Sequence, residues 1–173
     1  GTAWVKLGDD INGEAALDNS GSSVSLSPNG LRVAIGAGGN DGGGLNASGH
    51  VRVYSWNGTA WVKLGDDIDG EGMNDQSGRS VSMSTDGSRV AIGASLNDNN
   101  NRTNAGHVRV YSWSGTAWVK LGDDIDGEAA GDMSGMSVSM SADGSRVAIG
   151  APYNNGSANL SGHVRVYSWS GTA

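Results

Sequence analysis

The 173-residue chain carries 11 Lys and Arg against 18 Asp and Glu, and its net charge of −7 argues against non-specific nucleic-acid binding. It has no Cys, which excludes disulfides, thiolate metal sites and a cysteine nucleophile, and no apolar run reaches membrane-spanning length. Gly is abundant at 30 and Pro scarce at 2, but a regular apolar alternation separates the chain from low-complexity sequence.

In chain order, "WVKLG" at 4–8 is the first predicted strand, and the acidic run "GDDINGE" at 8–14 opens a polar loop over 9–20. "SVSLS" at 23–27 alternates with period two, as a half-buried strand does. The turn "PNG" follows, where positive φ favours Asn-Gly. "RVAIGA" at 32–37, a variable loop at 38–49, "HVRVYSW" at 50–56, a turn "NGTA" and "WVKLG" at 61–65 complete the unit. The same series recurs at 80–84, 89–94, 107–113 and 118–122, and again at 137–141, 146–151 and 163–169. Trp4, Trp61 and Trp118 are spaced by 57 residues, and His50, His107 and His163 by 57 and 56. The chain therefore holds three copies of a unit of about 57 residues. No stretch has a helical period, so almost no helix is predicted.

Alternation predicts two unequal faces for each sheet. One collects Val81, Met83, Val90, Ile92, Val108, Val110, Val119 and Leu121. The other collects Ser80, Ser82, Ser84, Ala91, Gly93, His107, Arg109, Tyr111, Trp113, Trp118 and Lys120, growing in size from the first strand to the fourth. Such a gradient suits sheets fanned about an axis, close at the centre and far apart at the rim. The fold class is thus all-β, built of β-propeller blades; a three-fold β-trefoil or β-prism monomer is the alternative. A lone four-stranded sheet leaves both faces bare, so the units must stack.

The predicted organisation is one repeat domain over 1–173. Residues 1–8 form an outer strand that completes a blade; blades follow at 9–65, 66–122 and 123–173, the last lacking its outer strand. Three blades fall below the usual range of about four to eight. The expected partner is therefore a second copy, in a homo-oligomer of six blades closed by strand swapping, and the chain reads as a fragment of a longer repetitive protein.

"SGMSVSMSADGSRVAIGAP" at 134–152 resembles the FG-GAP repeats of integrin-α-type β-propellers, and the resemblance spans all three units. Ser20-Gly21, Ser77-Gly78 and Ser134-Gly135 stand where that family has Phe-Gly. Gly150-Ala151-Pro152 matches its Gly-Ala-Pro element, which reads "GAG" at 36–38 and "GAS" at 93–95. The resemblance implies a propeller and an extracellular or cell-surface setting. It also brings a calcium loop between the first two strands of many blades. Here that loop is shortened to "SPNGLR", "STDGSR" and "SADGSR", too short to supply six or more oxygens, so the family's calcium site is not carried over.

His50, His107 and His163 each open the same strand once per unit. A catalytic residue is needed once and a structural one in every copy, so their expected role is structural, bonding loop backbone or a turn Asp. In the runs "GDDIDGE", Asp67, Asp69, Glu71, Asp124, Asp126 and Glu128 are candidate cation ligands, weakly calcium-like. The competing role is turn chemistry, with Asp accepting backbone N–H bonds. No cofactor is otherwise expected. Trp56 with Trp61, and Trp113 with Trp118, are expected to face each other across a hairpin turn, a pairing worth up to about 1 kcal/mol. Exposed, they would instead stack on sugars. Asn-x-Ser/Thr sequons at Asn46, Asn57, Asn101, Asn155 and Asn159 agree with an extracellular surface.

Because the strands alternate in direction, the variable loops 38–49, 95–106 and 152–162 fall on one face with 9–20, 66–77 and 123–134. All acidic residues except Asp86 and Asp143 lie in these loops. The functional expectation is a non-enzymatic module for protein binding or adhesion, offering an acidic loop face to a basic protein. A lectin-like three-fold domain is the alternative.

Overall fold

The computed structural model describes residues 2–171, apart from the side chain of Asn100. Gly1 in the expected first strand, and Thr172 and Ala173 at the final turn, lie outside the described residues. The fold is all-β. Sheet one contains β1 (Ser23–Leu26), β2 (Arg32–Ala37), β3 (His50–Trp56), β4 (Trp61–Lys63) and β5 (Ile68–Asp69). Sheet two contains β6 (Ser80–Met83), β7 (Arg89–Ala94), β8 (His107–Trp113), β9 (Trp118–Lys120) and β10 (Ile125–Asp126). Sheet three contains β11 (Ser137–Met140), β12 (Arg146–Ala151) and β13 (His163–Ser168). Helix among the described residues is limited to two three-residue 3-10 turns, and no helix is long and apolar enough to cross a membrane. Every named strand pairs within one of the three sheets, β5 and β10 joining the sheet that precedes the expected boundaries at 65 and 122, which is the arrangement of propeller blades and not of a trefoil barrel.

The predicted strands agree with the observed ones within a residue or two, except at the outer edge. Residues 4–8 are not a strand, because among the described residues no strand lies beside them to form a ladder. The fourth strand is also shorter than expected and then resumes. Lys63 and Leu64 bond along β3, residues 65–67 bulge away, and Ile68 and Asp69 return to pair with Val51 and His50. The bulge leaves Asp67 and Asp124 beside His50 and His107, at the loop end of β3 and β8.

The predicted faces also need correction. Ile92 pairs with Arg109 and Val90 with Tyr111, while Ala91 pairs with Val110 and Gly93 with Val108. His107, Arg109, Tyr111, Trp113, Trp118 and Lys120 therefore share the face of Val81, Met83, Val90 and Ile92. Val108, Val110 and Val119 share that of Ser80, Ser82 and Ala91. A one-residue slip in register exchanges all side chains between faces. The tight Asp-Gly turn fixes β6 against β7, but the twelve-residue loop before β8 carries no such information. The size gradient survives on both faces.

Stacking follows from this pattern. Ala34, Val51 and Val53 of sheet one pack on Val81, Met83, Val90 and Ile92 of sheet two. Ala91, Val108 and Val110 of sheet two pack in the same way on Val138, Met140, Val147 and Ile149 of sheet three. Each large apolar side chain fully buried contributes roughly 1.5–3 kcal/mol. At the inner strands, serine hydroxyls cross between sheets. Ser23 Oγ donates to the Gly78 carbonyl at 2.7 Å, and Ser25 Oγ accepts the Met83 N–H at 3.0 Å. Ser80 and Ser82 repeat both bonds on Gly135 and Met140, at 2.7 and 2.9 Å. At the turn end, Arg32 donates to the Gly87 carbonyl and Arg89 to that of Gly144.

The sheets approach so closely that a Cβ at Gly93 would collide with the Gly135 carbonyl. Gly93→Ala is expected to cost about 3 kcal/mol, the upper end for overpacking, and to lower Tm by roughly 6–12 °C. Gly43→Ala, in open space at φ 61°, is expected to cost about a third as much. Calorimetric melting of both variants checks the ordering.

Candidate functional site

The variable loops are cross-bonded into one continuous face. Asp18, Asp75 and Asp132 are buried beneath it. Each carboxylate accepts a backbone N–H three residues earlier, from Ala15, Gly72 or Ala129. Each also accepts a side-chain amide from the loop after the second strand, Asn40 at 3.0 Å, Asn97 at 2.6 Å and Asn154 at 2.7 Å. Neighbouring loops join through backbone bonds from Asn74 to Asn46, Gln76 to Ala47 and Ser77 to Ser48, repeated from Gly131, Met133 and Ser134 to Thr103, Asn104 and Ala105. The sequence reading missed this Asp–Asn clamp. Its signal was there in the fixed spacing of 22 residues between each Asp and its Asn.

On this constant frame the loop tips differ. Leu17 is 87% exposed and held at φ 73°, a left-handed conformation filled elsewhere by Asn74 and Gly131. Met73, Tyr153 and Leu160 are further exposed apolar side chains. An exposed leucine in left-handed backbone contributes nothing to folding that Asn or Gly would not supply better. All five sequon asparagines are exposed.

At the edge of the face the three histidines lie against acidic side chains rather than backbone. His50 Nδ1 is 3.9 Å from Glu14, His107 Nδ1 is 4.0 Å from Asp124 and His163 Nδ1 is 3.7 Å from Glu128. Glu14, His50 and Asp67 bring one potential ligand atom each within 4.8 Å of one another, and Glu71, His107 and Asp124 do the same. The six predicted acidic residues are thus pulled apart. Asp67 faces the histidine of its own sheet, and Glu71, four residues on, faces that of the next. Asp69 and Asp126 offer their backbone carbonyls to Arg109 and Arg165 at 2.8 and 2.7 Å. The carboxylates near each histidine already meet fixed cations. Glu14 pairs with Arg52, Asp67 with Lys63, Glu71 with Arg109, Asp124 with Lys120 and Glu128 with Arg165. The turn acids serve their own turns. Asp86 and Asp143 each accept from two serine hydroxyls and a backbone N–H, which holds both carboxyls below the usual range.

Arg52, Arg109 and Arg165, which the sequence reading did not single out, are the hubs of these clusters. Each stacks its guanidinium 5.6–5.8 Å over Tyr54, Tyr111 or Tyr167. Each also bonds a backbone carbonyl of the incoming segment, at Asn12, Asp69 or Asp126, and a serine hydroxyl of the Ser-Gly pair. The tryptophans form tilted pairs, Trp56–Trp61 and Trp113–Trp118, both with ring centroids 5.4 Å apart. Trp61 and Trp118 donate their indole N–H to the Leu7 and Leu64 carbonyls of the preceding segment.

Burial pushes the His50 and His107 imidazoles below their ordinary value. Arg109 adds to this at His107, while Asp67 opposes it at His50. The unfolded chain therefore binds protons near pH 6.5 that the folded chain refuses. Stability is complete above pH 6.5 and falls as pH drops below it, by up to about 1.4 kcal/mol per pH unit for each histidine. Urea unfolding at pH 7.5 and 5.5 is expected to show this loss, and His107→Gln to reduce it.

Residues 68–111, the span from β5 through most of β8, match the model of the FG-GAP repeat. No curated protein sequence matches the chain. Among solved structures, hydrazine synthase of Kuenenia stuttgartiensis is similar with a TM-score of 0.52 and 11% identity, over 96% of this chain and 36% of that one. A structure described as a complex of KlAtg21 with the coiled coil of AgAtg16 is similar with a TM-score of 0.56 and 10% identity, over 86% of this chain and 39% of that one. The chain therefore spans well under half the length of either neighbour. At these identities the likeness is one of fold alone. Residues 68–111 thus match an FG-GAP repeat, within a fold whose structural neighbours are propeller-type proteins.

Proposed function

We propose that the chain is a non-enzymatic β-propeller module that binds a protein partner through its variable-loop face, in an extracellular or cell-surface setting. The observation that carries this reading is Leu17, an exposed apolar side chain held in left-handed backbone next to the Asp18–Asn40 clamp. Met73, Tyr153 and Leu160 extend the apolar contact, and the net charge of −7 favours a basic partner surface. FG-GAP repeats are in general non-enzymatic units, and the histidine, arginine and tryptophan positions recur in every sheet, as a scaffold requires. The sugar-stacking alternative is less favoured because the Trp61 and Trp118 indole N–H groups are already committed to backbone carbonyls.

A photo-crosslinking residue at Leu17 or Met73 is expected to capture protein from the cell surface of the source organism, and one at Asn29 or Asp86 on the opposite turns is not. Capture from the turn positions alone, or selective binding on a glycan array, would contradict the reading.

A further inference from the structure

Three separate features of the chain have the same missing counterpart. The first is an uncovered face at each end of the stack. Val164 and Val166 of sheet three are each 67% exposed, whereas Val51 and Val108, the repeat equivalents of Val164, are completely buried, and of those of Val166, Val53 is 1% exposed and Val110 half-buried. Val24 and Leu26 of sheet one are 64% and 57% exposed, whereas Met83, which corresponds to Leu26, is buried. These two faces are the halves of a contact that the chain already makes twice, between sheets one and two and between sheets two and three.

The second is an apolar pocket of about 180 Å³ at the outer rim between sheets two and three, lined by Val110, Leu121, Gly122, Tyr167 and Trp169 among others. One joint earlier, the corresponding residues are Leu64, Gly65, Tyr111 and Trp113. There the space is taken by Trp118, which packs with Leu64 and Tyr111 against the core and donates to the Leu64 carbonyl.

The third is Trp4, the repeat equivalent of Trp61 and Trp118, which is fully exposed. The segment around it is already placed as an outer strand would be. The Leu7 carbonyl accepts from Trp61 as that of Leu64 accepts from Trp118. Gly8 fits against the Trp56 ring as Gly65 fits against Trp113 and Gly122 against Trp169. Among the described residues, 4–8 have no third strand of a preceding sheet beside them, and β13 has no outer strand.

We propose that two copies of this chain close head-to-tail into a six-bladed ring, with Trp4 of each copy filling the pocket at Leu121, Gly122 and Trp169 of the other. The repeat fixes the contacts. Trp4, Val5 and Lys6 pair with Trp169, Ser168 and Tyr167 of the other copy, as Trp61, Val62 and Lys63 pair with Trp56, Ser55 and Tyr54. Ile11 and Asn12 pair with Val164 and His163, as Ile68 and Asp69 do with Val51 and His50. Ser137 donates to the Gly21 carbonyl, and Leu26 N–H to Ser139. The incoming Asp10 joins Glu128 beside His163, completing the Glu–His–Asp cluster found at His50 and His107. His163 is 24% exposed in the single chain where those two are 2%. The closure hides the open edge of β13 and both bare apolar faces. Two copies give six blades, inside the usual range of about four to eight, whereas one copy gives three and three copies give nine. Two identical head-to-tail contacts close on themselves with two-fold symmetry.

Native mass spectrometry of the 173-residue chain at micromolar concentration is expected to give twice the 17.5 kDa of one chain. Trp4→Ala removes a side chain that touches nothing in the single chain. It is expected to raise the dimer Kd at least about 30-fold, as the loss of an interface hot spot does, with an unchanged circular dichroism spectrum. Val166→Asp is expected to do the same from the opposite side of the contact. A mass of one chain, of three chains or of an open polymer overturns the proposal, and so does a dimer that survives both substitutions.

Discussion

The structure depends on how closely two inner strands can approach. Where sheet two meets sheet three, Ser80 bonds the carbonyl of Gly135 and Ser82 accepts the N–H of Met140. The contact is possible only because Gly93 presents no side chain to that carbonyl. The joint between sheets one and two repeats it with Ser23, Ser25 and Gly36. With the inner strands pinned this near, sheets fanned from a common axis must diverge outward. The growth from serine to alanine to valine on one face fills the widening gap. On the other face that growth ends in the arginine–tyrosine stacks and the paired tryptophans of the rim.

The same joint explains why so much charge lies outside any binding surface. Arg52, Arg109 and Arg165 are drawn under the loops by the carbonyls of the incoming segment, and each carries a glutamate with it. The buried aspartates clamp one loop to the next through Asn40, Asn97 and Asn154. Carboxylates that the sequence presents as an acidic face are therefore largely engaged in holding the frame together. Diversity is left to the tips, where Leu17, Met73, Tyr153 and Leu160 project.

Much of this was legible beforehand, for identifiable reasons. Period-two alternation located β1, β2 and β3 and their repeats, the Asn-Gly and Asp-Gly turns fixed the first hairpin of each sheet, and the 57-residue spacing of the tryptophans gave the three units. What failed were inferences across long connections. The facing of β3, β8 and β13 depends on a loop of a dozen residues with no register signal, and alternation alone admits either answer. The two-residue strands Ile68–Asp69 and Ile125–Asp126 are too short to alternate, so the acidic runs around them read as simple loops. Their carboxylates looked convergent in sequence, but the bulge and the step from one sheet to the next separate Asp67 from Glu71. Alternation put Arg109 on the graded face but could not name its partners, because the Asp69 carbonyl and Ser77 hydroxyl that it meets lie about 30–40 residues earlier in the chain.

In the proposed ring, the joint made twice inside the chain is made a third time between copies. Amide hydrogen exchange on the outer edge of β13 tests this most directly. The Val166 and Ser168 N–H groups point toward the missing outer strand, as those of Val110 and Ser112 point toward β9. Comparable protection is expected for the two pairs. Rapid exchange at Val166 and Ser168, with Val110 and Ser112 protected, would show that the third joint does not form.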